Sequence, residues 1–155
     1  MPPGGRPLSE YIRRAHAGGA AARLRQLAQE SGRDIVFMDW TPSSRRALEA
    51  SEYAREQGKH EAFHHTVFQK FYGEGQDMSK WDVLRAAADE VGLDPDEMER
   101  ETESGKYHVV VDRHIQQAHA MGITGVPAYV LGERYLIMGA QPYELFQQVM
   151  AELTD

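Results

Sequence analysis

The chain has 155 residues, enough for one domain with a substantial hydrophobic core. Its formal net charge is −7 and its arginines are mixed with acidic residues, which argues against a nucleic-acid-binding surface. Cysteine is absent, so these residues contain no thiolate nucleophile, disulfide or cysteine-based zinc site. No apolar run approaches the roughly 20 residues that span a bilayer, and Met1–Gly5 lacks the apolar region of a signal peptide. A cytoplasmic location is therefore expected.

The first third of the chain is predicted to be mostly helical. Residues 1–7 are rich in proline and glycine and are expected to be irregular. Ser9 can cap a short helix, and a second helix is predicted over residues 20–31, with Gly32 as its stop. The β-branched and aromatic residues of 34–40 predict a short strand or a buried extended segment.

Further helices are predicted through the middle of the chain. They are expected at about residues 42–57, 59–72, 80–91, 95–104 and 106–121. Thr41 and Asp94 are predicted N-terminal caps, and Ser79 with Asp82 resembles a capping box. Side chains expected to face the core are Phe63, Val67, Phe68 and Phe71 in one helix and Val110, Val111, Ile115 and Ala118 in another.

The last third predicts a β-hairpin followed by a helix. Residues 128–131 and 135–138 form two apolar runs separated by a tight turn at Gly132-Glu133. Pro142 then begins an amphipathic helix. The segment Gly122-Ile123-Thr124-Gly125-Val126-Pro127-Ala128 places a proline at the entry of the first strand, a position where its missing amide costs no ladder hydrogen bond.

The order of helix, proline-containing loop, hairpin and final helix, with Gly139-Ala140-Gln141-Pro142 before the last helix, resembles the C-terminal half of a thioredoxin fold. It is most similar to the DsbA-like family, in the branch that includes FrnE-type oxidoreductases and 2-hydroxychromene-2-carboxylate isomerases. Further matches are residues 53–59 (YAREQGK), 62–64 (AFH) and 91–95 (VGLDP), and the resemblance covers about residues 2–153. It implies an α/β, thioredoxin-like fold in a single domain over residues 1–155. A helical insertion would occupy about 8–121 and the C-terminal half of the thioredoxin fold about 122–153.

The resemblance also implies a binding site. A lone X–Pro bond is usually trans, but the family's Val–Pro bond at this point is cis. Carried over, Val126 would offer its backbone to a peptide or protein substrate, or to glutathione, like an added strand. Pro127 would be the cis residue, with Thr124 and Gly125 at the rim. No cofactor and no metal are expected.

The family's opening unit of strand, Cys-x-x-Cys, helix and strand has no counterpart here. The chain therefore resembles a thiol–disulfide oxidoreductase that is redox-inactive on its own. Two interpretations follow: the chain is part of a longer oxidoreductase, or it is a binding protein without catalysis. A third alternative is that it is related to the glutathione-dependent isomerases. Without that unit residues 128–131 form an open apolar edge. We expect a homodimer to cover this edge, or the segment 34–40 to fold back over it.

A competing motif is His60-Glu61-Ala62-Phe63-His64, which matches H-E-x-x-H. On a helix His60 and His64 share a face and could bind zinc, with Glu61 as the general base of a metallopeptidase. This alternative needs a third ligand, for which Asp89 or Glu90 is the candidate. Both histidines also flank a predicted apolar stripe, so they can equally border a packed helix face.

Overall fold

The computed structural model describes residues 5–8 and 19–154. The predicted helix after Ser9 lies outside these residues. The chain divides into two compact units, Met1–Val111 and Asp112–Asp155, and each is described by itself. That the whole chain acts as one domain stays a prediction. Within the described residues, no helix is long and apolar enough to cross a membrane.

The first unit is built mainly of helices. Its elements are β1 (Arg6–Pro7), α1 (Gly19–Glu30), β2 (Trp40–Thr41), α2 (Arg45–Glu56), α3 (His60–Phe68), α4 (Trp81–Glu90) and α5 (Pro95–Glu103). A π-helical turn, Gln69–Gly73, follows α3 directly. Helix α6 (His108–Ala120) begins in this unit and continues into the second, which also contains β3 (Ala128–Leu131), β4 (Tyr135–Met138) and α7 (Tyr143–Thr154).

The strand predicted over residues 34–40 is almost absent. Only Trp40 and Thr41 are in strand conformation, paired antiparallel with Pro7 and Arg6. Upstream, the amide of Val36 donates to the carbonyl of Tyr72 at 2.6 Å, so the π-helical turn satisfies a group that a sheet would otherwise pair. Because Thr41 belongs to this ladder, it does not cap the next helix as predicted. Helix α2 begins at Arg45 instead.

The core of the first unit lies between α2, α3, α4 and α5. Its buried members are Ala47, Ala50, Tyr53, Ala54, Phe63, Val67, Leu84, Ala87, Ala88, Leu93, Met98 and Tyr107. Tyr53 is buried and its hydroxyl donates to the Glu97 carboxylate at 3.2 Å. Burial, reinforced by Glu97, raises the pKa of Tyr53 to about 12, so the hydroxyl keeps its proton and remains a donor.

Two predicted core positions are exposed. Phe63 and Val67 are buried as expected, but the ring of Phe68 is 49% exposed. It lies between His64 and Tyr72, with ring centroids 4.5 and 5.5 Å away, on the outer face of the helix. Ile115 of α6 is 41% exposed, because the side chains of this helix are buried only near its start, at Val111.

One predicted cap forms and another does not. The Asp94 carboxylate accepts hydrogen bonds from the amides of Asp96 and Glu97 at 2.9 and 3.0 Å, and Pro95 begins α5 as predicted. The capping box predicted for α4 is wrong. Ser79 instead donates its hydroxyl to Asp77 at 2.7 Å, and the N-cap position is Lys80.

The second unit contains the predicted hairpin, with both strands at their predicted residues. Ala128 pairs with Met138 and Leu131 with Tyr135. Gly132 and Glu133, both at φ +57°, form the turn between them, the left-handed conformation that a type I′ turn requires. Gly132 also faces α7, since a Cβ there would lie 2.4 Å from Leu153 Cδ2.

Helix α7 packs on the hairpin through a small core. Ile137 of β4 and Val149 of α7 are buried. Tyr129 meets Phe146 edge to face with centroids 4.9 Å apart, and the Tyr135 hydroxyl donates to Glu152 at 2.8 Å. These contacts fix α7 against the strands that follow Pro127.

A pair of phenylalanine variants tests the placement of α3. Phe63→Ala should lower the free energy of unfolding by about 3–5 kcal/mol, because it opens a cavity in a sealed core. Phe68→Ala, on the same helix, is the matched control and should cost much less, since half of its ring already contacts water. Urea unfolding followed by circular dichroism measures both. Equal losses would contradict the burial assigned to these two rings.

Candidate functional site

The loop between α6 and β3 holds the four substrate-binding residues predicted from the sequence. Helix α6 is closed by Gly122 at φ +75°, and the amide of Ile123 donates back to the Ala118 carbonyl at 2.9 Å. The residues that follow are Thr124, Gly125, Val126 and Pro127, all of them exposed. The structure therefore brings these four residues together on one exposed loop, held by a capped helix at one end and the hairpin at the other.

Val126 is the most exposed large apolar residue in the described part of the chain, at 92%. The Val126–Pro127 peptide bond is cis. The Pro127 carbonyl accepts from the Gly139 amide at 2.8 Å and so extends the hairpin ladder. Among the described residues, the amide and the carbonyl of Val126 have no hydrogen-bond partner. The loop thus offers one backbone donor and one backbone acceptor, which an extended chain could pair with.

Strand β3 has an open edge in the described structure. It pairs with β4 alone, and the short sheet of β1 and β2 is separate from it. In the first unit, Trp40 of the segment 34–40 pairs with Pro7, and that this segment covers β3 stays a prediction. On β3, Tyr129 and Val130 are 40% and 45% exposed. An apolar edge of this kind favours association.

The H-E-x-x-H residues lie on α3, and their surroundings do not support a zinc site. The rings of His60 and His64 are stacked with centroids 5.6 Å apart, and Arg55 Nη2 lies 2.8 Å from His60 Nε2. The Arg55 guanidinium thus lies at the His60 nitrogen that a metal ion would need. The candidate third ligand Glu90 is paired with Lys70. No group of three potential ligands occurs among the described residues, so the metallopeptidase alternative is unsupported.

The environment of His64 predicts a pH-dependent contribution to stability. Partial desolvation lowers the pKa of His64, and the neighbouring His60 and Arg55 lower it further. Protonation is therefore harder in the folded state than in the unfolded chain. The neutral His64 ring therefore contributes stability that is fully present above the pKa of His64 in the unfolded chain. This contribution is lost as the pH falls through the lower pKa of His64 in the folded protein.

The variant His64→Gln should lose less stability than the parent chain between neutral and mildly acidic pH. Urea midpoints across this range measure the effect, and the NMR titration of His64 should have its midpoint below that of a free histidine. A parent and variant with parallel pH profiles would contradict the assigned shift.

A polar cavity in the first unit was not predicted. It has a volume of about 300 Å³ and combines residues from α2, the segment before α4, α5 and the start of α6. Arg46, Ser79, Thr102 and His108 are among them. Their positions in the sequence follow no spacing that would indicate a common site, and only the packing of four segments unites them.

Comparison with known proteins bears on this fold. A family model described as a DSBA-like thioredoxin domain matches residues 1–151. The uncharacterized protein YwbO of Bacillus subtilis (strain 168) is 28% identical over 132 residues, which cover 83% of this chain and 66% of that protein.

Solved structures agree with the family match. The crystal structure of a probable DsbA oxidoreductase from Streptomyces coelicolor has a TM-score of 0.76 at 27% identity, over 91% of this chain and 61% of that one. A 2-hydroxychromene-2-carboxylate isomerase structure has a TM-score of 0.78 at 22% identity, over 95% of this chain and 71% of that one, and shows the fold alone. The chain thus spans about two thirds of these relatives. The predicted fold, mostly helical with a C-terminal hairpin and helix, is confirmed, and the chain belongs to the family of DsbA-like thioredoxin domains.

Proposed function

We propose that residues 124–127 form a binding site for an extended peptide, and that this chain supplies the substrate-binding part of a DsbA-like thiol–disulfide oxidoreductase. One observation carries the proposal. Val126 is exposed at the entry of a strand, and its amide and carbonyl have no partner among the described residues. A peptide that pairs with these two groups adds to the hairpin as a strand does.

The thiol chemistry of such an oxidoreductase is not located in these residues. Disulfide exchange requires attack by a thiolate, and the chain contains no cysteine. We propose that the chain binds substrate and that any exchange depends on a thiol from outside these 155 residues. The solved oxidoreductase, of which this chain matches 61%, supports the assignment of the class.

Backbone pairing also suits glutathione, which is itself a small peptide. Its binding at Val126 would use the same donor and acceptor and would compete with a longer peptide. No contact in the described residues favours an isomerase over an oxidoreductase. The peptide-binding proposal therefore stands as the primary one.

Two variants of Val126 test the pairing directly. Val126→Ala retains the amide and loses only an exposed side chain, so it should bind like the parent. Val126→Pro removes the donor and should weaken binding by about fivefold, the loss expected for one net hydrogen bond. The probe is the alkylated B chain of insulin, titrated into the ¹⁵N-labelled protein.

In the parent chain the Val126 amide resonance should shift on titration. The resonances of α7 report whether each variant keeps its fold. Equal binding by the proline and alanine variants would count against backbone pairing. So would binding that leaves the Val126 resonance unmoved.

The open edge of β3 supports a second element of the proposal, a homodimer. A sheet of two strands is marginal on its own. Pairing of the β3 edges of two copies about a twofold axis would satisfy the free backbone groups and cover Tyr129 and Val130. The partner in this proposal is a second copy of the chain.

Sedimentation at micromolar concentration tests the assembly. The parent chain should be a dimer, and Val130→Lys should dissociate it, because a lysine on an edge strand opposes pairing. Val109→Lys is the control, since Val109 is 64% exposed on α6 and lies outside β3. A monomeric parent chain would exclude the dimer. Equal behaviour of the two lysine variants would exclude β3 as its interface.

A further inference from the structure

The proposed peptide site and the proposed dimer interface lie on the same edge of one strand. Strand β3 has two edges, and β4 pairs along one of them from Ala128 to Leu131. The pairing continues one residue further, because the Gly139 amide donates to the Pro127 carbonyl at 2.8 Å. A strand that adds beside Val126 and β3 must therefore approach from the other edge, which no strand occupies in the described part of the chain.

The Pro127 carbonyl also shows which backbone groups of β3 face this free edge. In an antiparallel ladder, residues that bond to the neighbouring strand alternate with residues whose amide and carbonyl point away from it. Since Pro127 bonds towards β4, the backbone groups of Ala128 and Val130 point to the free edge. The opposite strand follows the same alternation, because Met138, the register partner of Ala128, accepts from the Gln141 side chain at 2.9 Å.

Val126 contributes the next pair of backbone groups along this edge. Its amide and carbonyl have no hydrogen-bond partner among the described residues. A peptide that pairs with Val126 cannot lie between β3 and β4, so it continues along the free edge beside Ala128 and Val130. The peptide site therefore includes the edge of β3 as well as the loop before it.

A second copy of the chain needs the same backbone groups. Antiparallel pairing about a twofold axis at Tyr129 places Ala128 opposite Val130 of the partner subunit, where their outward groups can exchange hydrogen bonds. Counted along the strands, Val126 then lies opposite Gly132 of the partner subunit, at the hairpin turn. The second copy thus fills the space that a peptide at Val126 would occupy.

We propose that dimerisation regulates the peptide site, because each chain can pair along β3 with a second copy or with a peptide but not with both. This inference rests on the proposed function, since it requires both the peptide site and the dimer. The dimer is the closed form of the site and the monomer is the form that binds. By linkage, peptide must weaken the dimer as much as dimerisation weakens peptide binding.

Titration at two chain concentrations measures the competition. The alkylated B chain of insulin is added to the ¹⁵N-labelled chain at one concentration where sedimentation shows mostly monomer, and at another where about nine tenths of the chains are dimeric. Because only the monomer binds, the apparent Kd should be about tenfold weaker at the higher concentration, in inverse proportion to the monomer fraction. Equal apparent Kd values would overturn the competition.

The stoichiometry of the complex gives an independent measurement. With saturating B chain at the higher concentration, sedimentation should show one chain bound to one peptide. A complex of two chains with two peptides would overturn the proposal, because the dimer and the peptide would then occupy different surfaces.

Two lysine variants separate dimerisation from peptide binding. Val130→Lys should be monomeric at both concentrations, so its apparent Kd, whatever its value, should not change with chain concentration. Val109→Lys is the matched control on α6, where Val109 is 64% exposed, and it should keep the concentration dependence of the parent chain. A concentration dependence that persists in a monomeric Val130→Lys chain would contradict the shared edge.

Failure of the proposed function gives a different result from failure of this inference. A parent chain that is monomeric at every concentration removes the dimer, and a Val126 resonance that the peptide leaves unmoved removes the peptide site. Either result also overturns the competition. The competition alone fails when the parent chain dimerises and binds peptide at Val126, but does both at the same time.

Discussion

The first unit depends on how closely α2 can approach its neighbours. Ala47, Ala50 and Ala54 are the buried residues of α2 in this core, together with Tyr53, and α4 contributes Ala87 and Ala88 beside Leu84. Helices α2 and α4 each pack against α3 and α5, and their small side chains let the backbones come near those two helices. The large rings of Phe63 and Tyr107 fill the remaining space in the core. A bulkier side chain at any of these alanines would have to displace a helix.

The buried tyrosines show how polar groups enter such a core. Tyr53 and Tyr107 each place an aromatic ring inside and a hydroxyl at its border, where Glu97 and Glu56 accept. Lys106 joins Glu56 at 2.7 Å, which holds that carboxylate charged and lowers the pKa of Glu56. Hydrogen bonds therefore fix the orientation of the side chains at the border of the core, which apolar packing alone would not do.

Sequence reasoning recovered the parts of this fold that are determined locally. The hairpin strands, its turn and the Asp94 cap follow from residues near one another in the chain, and the structure has them where they were predicted. Two of the failures have distant causes, since Thr41 pairs with Arg6 and Val36 donates to the Tyr72 carbonyl. The third has a local cause, because Ser79 donates to Asp77, two residues earlier, and does not cap α4.

The candidate site shows the same division. Thr124 to Pro127 were predicted because they are contiguous and resemble a family motif. Periodicity alone would have predicted only an ordinary proline at the start of a strand, with no binding role. The zinc motif failed for the opposite reason. His60 and His64 have suitable spacing, but the guanidinium of Arg55, on the preceding helix α2, lies at Nε2 of His60. The polar cavity could not be predicted at all, since four segments must pack before Arg46 and Thr102 share it.

Gly132 shows how two constraints can coincide at one position. Its positive φ excludes most side chains on conformational grounds, and Leu153 fills the space that a Cβ would need. Gly58, at φ +69°, has open space around it, so an asparagine could replace it at modest cost. A side chain at position 58 would therefore meet open space, while one at position 132 would also have to displace the Leu153 side chain of α7.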